Sequence, residues 1–248
     1  MAGLSIGGVA YSMTSSWRPA FFIAPLLGLA VIAGAFLARG SLAGAGRGVP
    51  GIRLGRDTLQ LLKRRNVVLI MSFALLATWA SVWQVVFLPY YFFKVMHFTV
   101  LSASLLSSLV LIAGAFGKVI LGGISDSVRR NRLLVGVTLA TFLSYLVFFS
   151  SSTFAFYMAA ALSMGFFSAS IFPVVQSLMT DSARGTTGSA LGLSTSAQSV
   201  ATIFSTFIAA SLFTLGVGRA VALDAMIPIS LAFVVALFLR EPRREMAP

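Results

Sequence analysis

Apolar residues in this chain come in long unbroken runs, with neither the strict alternation of a half-buried strand nor the narrow stripe of a surface helix. Seven runs approach or exceed the roughly 20 residues that an α-helix needs to cross a bilayer: 19–38, 66–93, 98–121, 133–151, 153–179, 187–215 and 220–239. The longer ones must tilt, or continue past the hydrocarbon as ordinary helix. A further apolar stretch, 3–12, reaches only half-way across at about 1.5 Å per residue. It reads as the tail of a helix whose beginning is missing. No Lys or Arg precedes it, so it is not a signal peptide. The expected fold is an all-α membrane protein of about seven transmembrane helices plus a partial N-terminal one.

The connections are short, with one exception. Segment 39–65 is long, basic and glycine-rich (Gly40, Gly44, Gly46, Gly48, Gly51, Gly55). Its first half is expected to be flexible coil. Its second half, 57–65, predicts a short amphipathic helix capped by Asp57, with Leu59, Leu61 and Leu62 on the membrane and Lys63–Arg65 facing headgroups. This divides the chain into 1–38, the end of one bundle; 39–65, a linker; 66–240, a six-helix transmembrane bundle; and 241–248, a tail.

Composition agrees with the runs. Of 248 residues 58% are hydrophobic and only 10% charged, against about 25% charged in a soluble domain. There is no cysteine, and the single histidine, His97, rules out chemistry that needs two imidazoles. A net charge of +12 invites a nucleic-acid reading, but the charges sit in the gaps between apolar runs. Fourteen Lys and Arg fall on one side of the predicted membrane and three (Arg18, Lys94, Arg219) on the other. The positive-inside rule puts the fourteen, with the linker and the tail, in the cytoplasm. The expected location is the inner or plasma membrane.

Chemistry-bearing residues are few. Gly122-Gly123-Ile124-Ser125-Asp126-Ser127-Val128-Arg129-Arg130-Asn131-Arg132 joins two spans on the basic side. Asp126 is placed to cap the following helix and to pair with an arginine. Within the spans, Ala74, Ala77, Ser81, Gln84 and Tyr91 share one face. Gly165, Ala169 and Gln176 share another, with Pro173 as a kink. Thr195, Gln198, Thr202 and Ser205 cluster near Gly188-x-x-x-Gly192, a small-residue pair that favours close packing. The amides of Gln84, Gln176 and Gln198 must face protein or a wet cavity, bridging helices or touching a substrate. Lys118, the one charge well inside a span, lies about a turn from the basic end and can snorkel. His97 reads as a solvated loop residue. Asp224 lies near the outer end of the last run, which leaves no acidic residue at mid-span. Trp79, Trp83, Tyr90 and Tyr91 suit a solute or an interfacial belt equally.

The basic turn resembles a signature of the major facilitator superfamily, Gly-x-x-x-Asp-Arg-x-Gly-Arg-Arg, in the weaker copy found between that family's eighth and ninth helices. Gly122, Asp126 and Arg130 match; Ser127, Arg129 and Asn131 depart from it. Segment 39–65 is similar to the family's central linker, and Asp181-Ser182-Ala183-Arg184-Gly185-Thr186-Thr187-Gly188 to its turn between helices ten and eleven. The resemblance implies that the seven runs are helices six to twelve, with 3–12 the end of the fifth and the first four absent. It implies half of a two-bundle architecture, with 133–151 and 220–239 as the lipid-facing ninth and twelfth helices. Gln84, Tyr91, Gln176 and Gln198 become candidates for a substrate cavity. Gly122, Asp126, Arg129, Arg130 and Arg132 become candidates for a gating loop.

The implied function is secondary transport of a small solute by alternating access, with or without a coupling ion, by a C-terminal fragment. Any proton-carrying carboxylate is then expected in the missing half. Expected partners are membrane lipids, the solute, and either the missing helices or a second copy; no nucleic acid, metal or cofactor is expected. The alternative is a non-transporting scaffold or a truncated gene product. An intramembrane enzyme fits poorly: there is no His-Glu-x-x-His, no serine–histidine pair at depth, and only four Asp and two Glu to hold a metal.

Overall fold

The structure is a computed structural model. It describes residues 60–239 except 152, 184 and 185, together with 8, 9, 11–15, 18, 29 and 33. The run 19–38 apart from residues 29 and 33, the linker through residue 59 and the tail lie outside the described residues, as do Arg184 and Gly185. So does the side chain of Asp126, though its backbone is helical.

The described chain forms α1 (Arg65–Val86), α2 (Leu88–Lys94), α3 (Val100–Ser127), α4 (Arg130–Ser150), α5 (Phe154–Ser182), α6 (Thr187–Leu212), a 3-10 turn (Phe213–Leu215) and α7 (Val217–Phe238). Six of these, all but α2 and the 3-10 turn, are long and apolar enough to cross a membrane. The chain is a multi-pass membrane protein. The six spanning helices alternate in direction. The N-termini of α1, α4 and α6 and the C-termini of α3, α5 and α7 therefore meet at one end of the bundle. That end carries Arg64, Arg65, Arg129, Arg130 and Arg132 and is called the arginine end below.

Local chemistry explains where the helices stop. The run 66–93 is two helices rather than one. Pro89, in the first turn of α2, has no N–H to continue the ladder, and the chain breaks at Phe87. Thr99 caps α3 by accepting from the Ser102 N–H at 3.3 Å. His97, just before it, takes a left-handed φ of 57° that lets the chain turn. α3 runs on to Ser127, past the apolar run 98–121, so Lys118 sits more than two turns from the helix end rather than one. Its exposed ammonium lies 5.9 Å from the centre of the Phe172 ring. Gly216, at φ 93°, ends the 3-10 turn. α7 then begins at Val217, which draws Arg219 into its first turn.

Two groups of three helices make up the bundle. α5 lies between α3 and α4, α1 lies between α6 and α7, and α4–α7, α1–α5 and α5–α6 contacts join the groups. The tightest approach is between α3 and α5. There Gly117 lies against the Phe166 carbonyl, Gly165 against the Val110 carbonyl, and Gly114 against Ala169. The small pair singled out in the sequence, Gly188 and Gly192, meets no neighbour within 4 Å, so it does not serve close packing here. Leu61, assigned above to the membrane surface, is instead buried in the core at 1% exposure. α4 and α7 turn apolar side chains outward, among them Leu139, Leu143, Leu146, Ile227, Leu231 and Val234.

Candidate functional site

Three polar assemblies stand out among the described residues. The first is at the junction of α1, α4 and α5. Gln84 on α1 donates from Nε2 to the Tyr145 hydroxyl at 2.6 Å and accepts on Oε1 from Ser168 at 3.0 Å. Tyr145 in turn donates to the Ala80 carbonyl at 2.8 Å. These groups are buried, and each finds a partner within the bundle. Trp83 closes the site on one side, with its ring centre 5.6 Å from Tyr145, 5.6 Å from Phe148 and 5.3 Å from Phe149. Tyr91 joins the same aromatic cluster from α2, 5.5 Å from Phe148. Both Trp83 and Tyr91 are buried and Trp79 is bonded inside the bundle, so these three do not form an interfacial belt.

The second assembly is centred on Asp224. The apolar run placed this carboxylate near the outer end of the last span. The longer α7 places it seven residues in, about 10 Å from the helix start. It is 2% exposed. Trp79 on α1 donates its indole N–H to Oδ1 at 2.7 Å, and Ser205 on α6 donates its hydroxyl to Oδ2 at 2.9 Å. One carboxylate thereby joins three helices. Sequence reasoning passed over it because its depth depends on where α7 starts. The available signal was an acid in an apolar run four residues before Pro228.

The third assembly ties helix ends together at the arginine end. Arg130, at the start of α4, forms an ion pair with Asp181, in the last turn of α5. Asn131 donates to the Leu239 carbonyl at the end of α7 at 2.8 Å. Asn66 donates to the Ser182 hydroxyl at 3.1 Å and Arg64 to the Ser182 carbonyl at 3.1 Å, which joins α1 to α5. Carbonyls left over at helix C-termini thus find donors on neighbouring helices. Gly122 packs loosely on Pro173, and Arg129 and Arg132 are exposed. The N-cap of α4 is Arg129, not Asp126, which lies in the last turn of α3.

The remaining amides sit elsewhere. Gln176 on α5 is exposed, and Gln198 on α6 is half-buried, donating to Ser194 at 3.3 Å. α6 is the least covered of the long helices: 17% of its most apolar window is buried, against 39–50% for the others. Its exposed surface has two parts. Ile203, Phe204 and Phe207 form an apolar flank. Thr195, Ser199 and Thr202 form a polar stripe, in which each hydroxyl donates to the carbonyl four residues earlier.

A family model described as Major Facilitator Superfamily matches the chain over residues 1–149 and again over residues 84–248. No curated protein matches it.

Proposed function

The chain belongs to the major facilitator superfamily, and from that premise we propose that it carries a small solute across the cell membrane by secondary active transport. In this reading the six-helix bundle rocks against a second bundle, and solute binds between them near mid-membrane. The observation that carries the proposal is the polar stripe of α6. Hydroxyls at Thr195, Ser199 and Thr202 lie on an exposed face of a membrane helix, where a wet cavity suits them better than lipid. Gln198 lies on the same helix, and Gln176 is exposed on α5, which packs beside α6. Of the three glutamines, Gln176 and Gln198 are therefore assigned to the solute and Gln84 to the bundle's own hydrogen bonding.

A thermal-shift screen of solutes tests this, followed by alanine substitution. Gln176→Ala and Gln198→Ala should reduce the shift given by an active solute and leave the unliganded Tm nearly unchanged. Gln84→Ala should do the reverse, lowering stability by about 0.6 kcal/mol or somewhat more and leaving the solute's effect intact. If Gln84→Ala alone abolished solute binding, the assignment would be inverted.

The proposed orientation puts the arginine end, the linker and the tail in the cytoplasm. A reporter that fluoresces only in the cytoplasm, fused after Arg244, should be bright. A dark, fully expressed fusion would turn the bundle over.

The proposed gating loop, Gly122 with Asp126, Arg129, Arg130 and Arg132, lies at that cytoplasmic face. Asp126 is in the last turn of α3, and α6 begins at the same end of the bundle, at Thr187, with unpaired N–H groups and roughly +0.5 charge, although α3 and α6 are not in contact among the described residues. Contact between the two would hold the cytoplasmic gate shut, with the Arg130–Asp181 pair as a second fastening. Asp126→Asn keeps the shape and removes the charge. It should slow transport and raise the accessibility of engineered cysteines at these helix ends, at unchanged Tm. Unchanged accessibility and transport would leave Asp126 no role in the gate.

A further inference from the structure

We propose that the Asp224 carboxylate is a proton-binding site that clamps α7 to α1 and α6 when charged and releases them when protonated. As the place where a coupling ion acts, it rests on the transport reading above; as a proton site, it stands on its own geometry.

The ionised carboxylate only accepts hydrogen bonds, and here each of its oxygens has a donor, Trp79 Nε1 and Ser205 Oγ. Both bonds are charge-assisted, roughly twice as strong as neutral ones. Among the described residues no Lys, Arg or His forms an ion pair with Asp224, so its charge rests on these two neutral donors. Adding H⁺ to one oxygen gives a neutral acid, with no other bond made or broken. The protonated oxygen then becomes a weak acceptor, the other bond becomes an ordinary one, and the new O–H needs an acceptor, which Ser205 Oγ can supply only by giving up its own donation.

The surroundings make that exchange mechanical. Pro228 is four residues beyond Asp224 and has no N–H, so the Asp224 backbone carbonyl lacks its usual helical donor. The clamp therefore sits where α7 is weakest. An apolar groove of about 300 Å³ adjoins it, lined in part by Leu76, Ile208, Leu212, Ile227 and Leu231, and gives α7 room to shift. Few other groups compete for the proton. α6 has no ionisable side chain along its whole length. α1 presents Trp79, and its only charged residue, Arg65, is at the far end. α4 contributes the buried Tyr145 hydroxyl, already engaged by Gln84 and Ala80. α2 carries Tyr90, Tyr91 and Lys94 near the bundle end. On α7 itself Arg219 lies five residues away, toward the helix start.

Trp79 reports on the site, because its indole N–H is bonded to the titrating oxygen. Tryptophan emission of the full chain in lipid nanodiscs should show a reversible one-proton transition on pH titration. It should be lost in Asp224→Asn, which keeps the side chain's shape, and in Trp79→Phe, which removes the reporter. Ser205→Ala should keep the transition and move its midpoint. Helicity by circular dichroism should be unchanged across the series, showing that each variant is folded. Replacing Na⁺ with choline at fixed pH should change nothing. Persistence of the transition in Asp224→Asn, its absence from the folded wild type, or a response to Na⁺ at fixed pH would each overturn the proposal. None of these readings involves the solute, so failure here is distinct from failure of the transport reading.

Discussion

Gly117→Ala should disrupt the bundle, although it adds a single methyl group. A Cβ at this position would overlap the Phe166 carbonyl of α5 and crowd the Ser170 hydroxyl. Neither can step aside cheaply: the carbonyl is helix backbone, and Ser170 is fixed by its own bond to Phe166 at 2.6 Å. α3 and α5 share the tightest contact in the fold, so the clash forces the pair apart along its length. The cost should be at least about 3 kcal/mol, at the upper end for overpacking a well-packed interior. Thermal unfolding in detergent, followed by size-exclusion chromatography, measures it. Gly136→Ala is the control. The same methyl meets nothing within 4 Å in the middle of α4, and the change should stabilise by about 0.5–1 kcal/mol through helix propensity. Equal effects of the two substitutions would show that α3 and α5 are not in this contact.

Trp83→Ala should cost about 3 kcal/mol, whereas Trp83→Phe should be close to neutral. The indole is wholly buried against Tyr145, Phe148 and Phe149. Its removal leaves a cavity that a closely packed bundle cannot collapse. The transfer part of the usual penalty is small, because the alternative to protein here is lipid rather than water, which puts the cost at the low end for aromatic truncation. Phenylalanine keeps most of the volume. It also removes the Trp83 Nε1–H, which has no acceptor among the described residues, and so offsets the lost area with a relieved polar group. Thermal unfolding of the two variants side by side checks the contrast. A Phe variant as unstable as the Ala variant would mean that Nε1 is satisfied after all.

The membrane architecture is legible in the sequence because apolar run length is a one-dimensional property. α3 to α7 all lie on such runs, and the basic turn at 122–132 stands out by its charge. What escapes a linear reading is whatever depends on which helix stands opposite. Gly188 and Gly192 have the spacing of a packing pair, and Gly114 and Gly117 do not. Yet α3 meets α5 at the second pair, while the first faces open space. Gln84, Gln176 and Gln198 are the same chemistry, each within a membrane-spanning run. Only the positions of Tyr145 and Ser168 show that Gln84 is consumed inside the bundle. Asp126 draws attention through its motif, but the nearby Arg130 is paired with Asp181, fifty-one residues along the chain. Asp224 is displaced by a boundary error of three residues, because Arg219 seems to mark the start of a span that in fact begins at Val217. A loop cation and a helix's first-turn cation read alike until the turn before them is known.

The hydroxyls of α6 have a consequence for motion. Because Thr195, Ser199, Thr202 and Thr206 each donate to their own helix, α6 carries no obligation toward its neighbours on that face. A helix bonded sideways must break those bonds to slide; one that closes its bonds inwardly can slide along protein or a wet cavity without breaking any. Among the described residues only Ser205 reaches across, to Asp224. α6 is therefore built as a lubricated surface with a single catch.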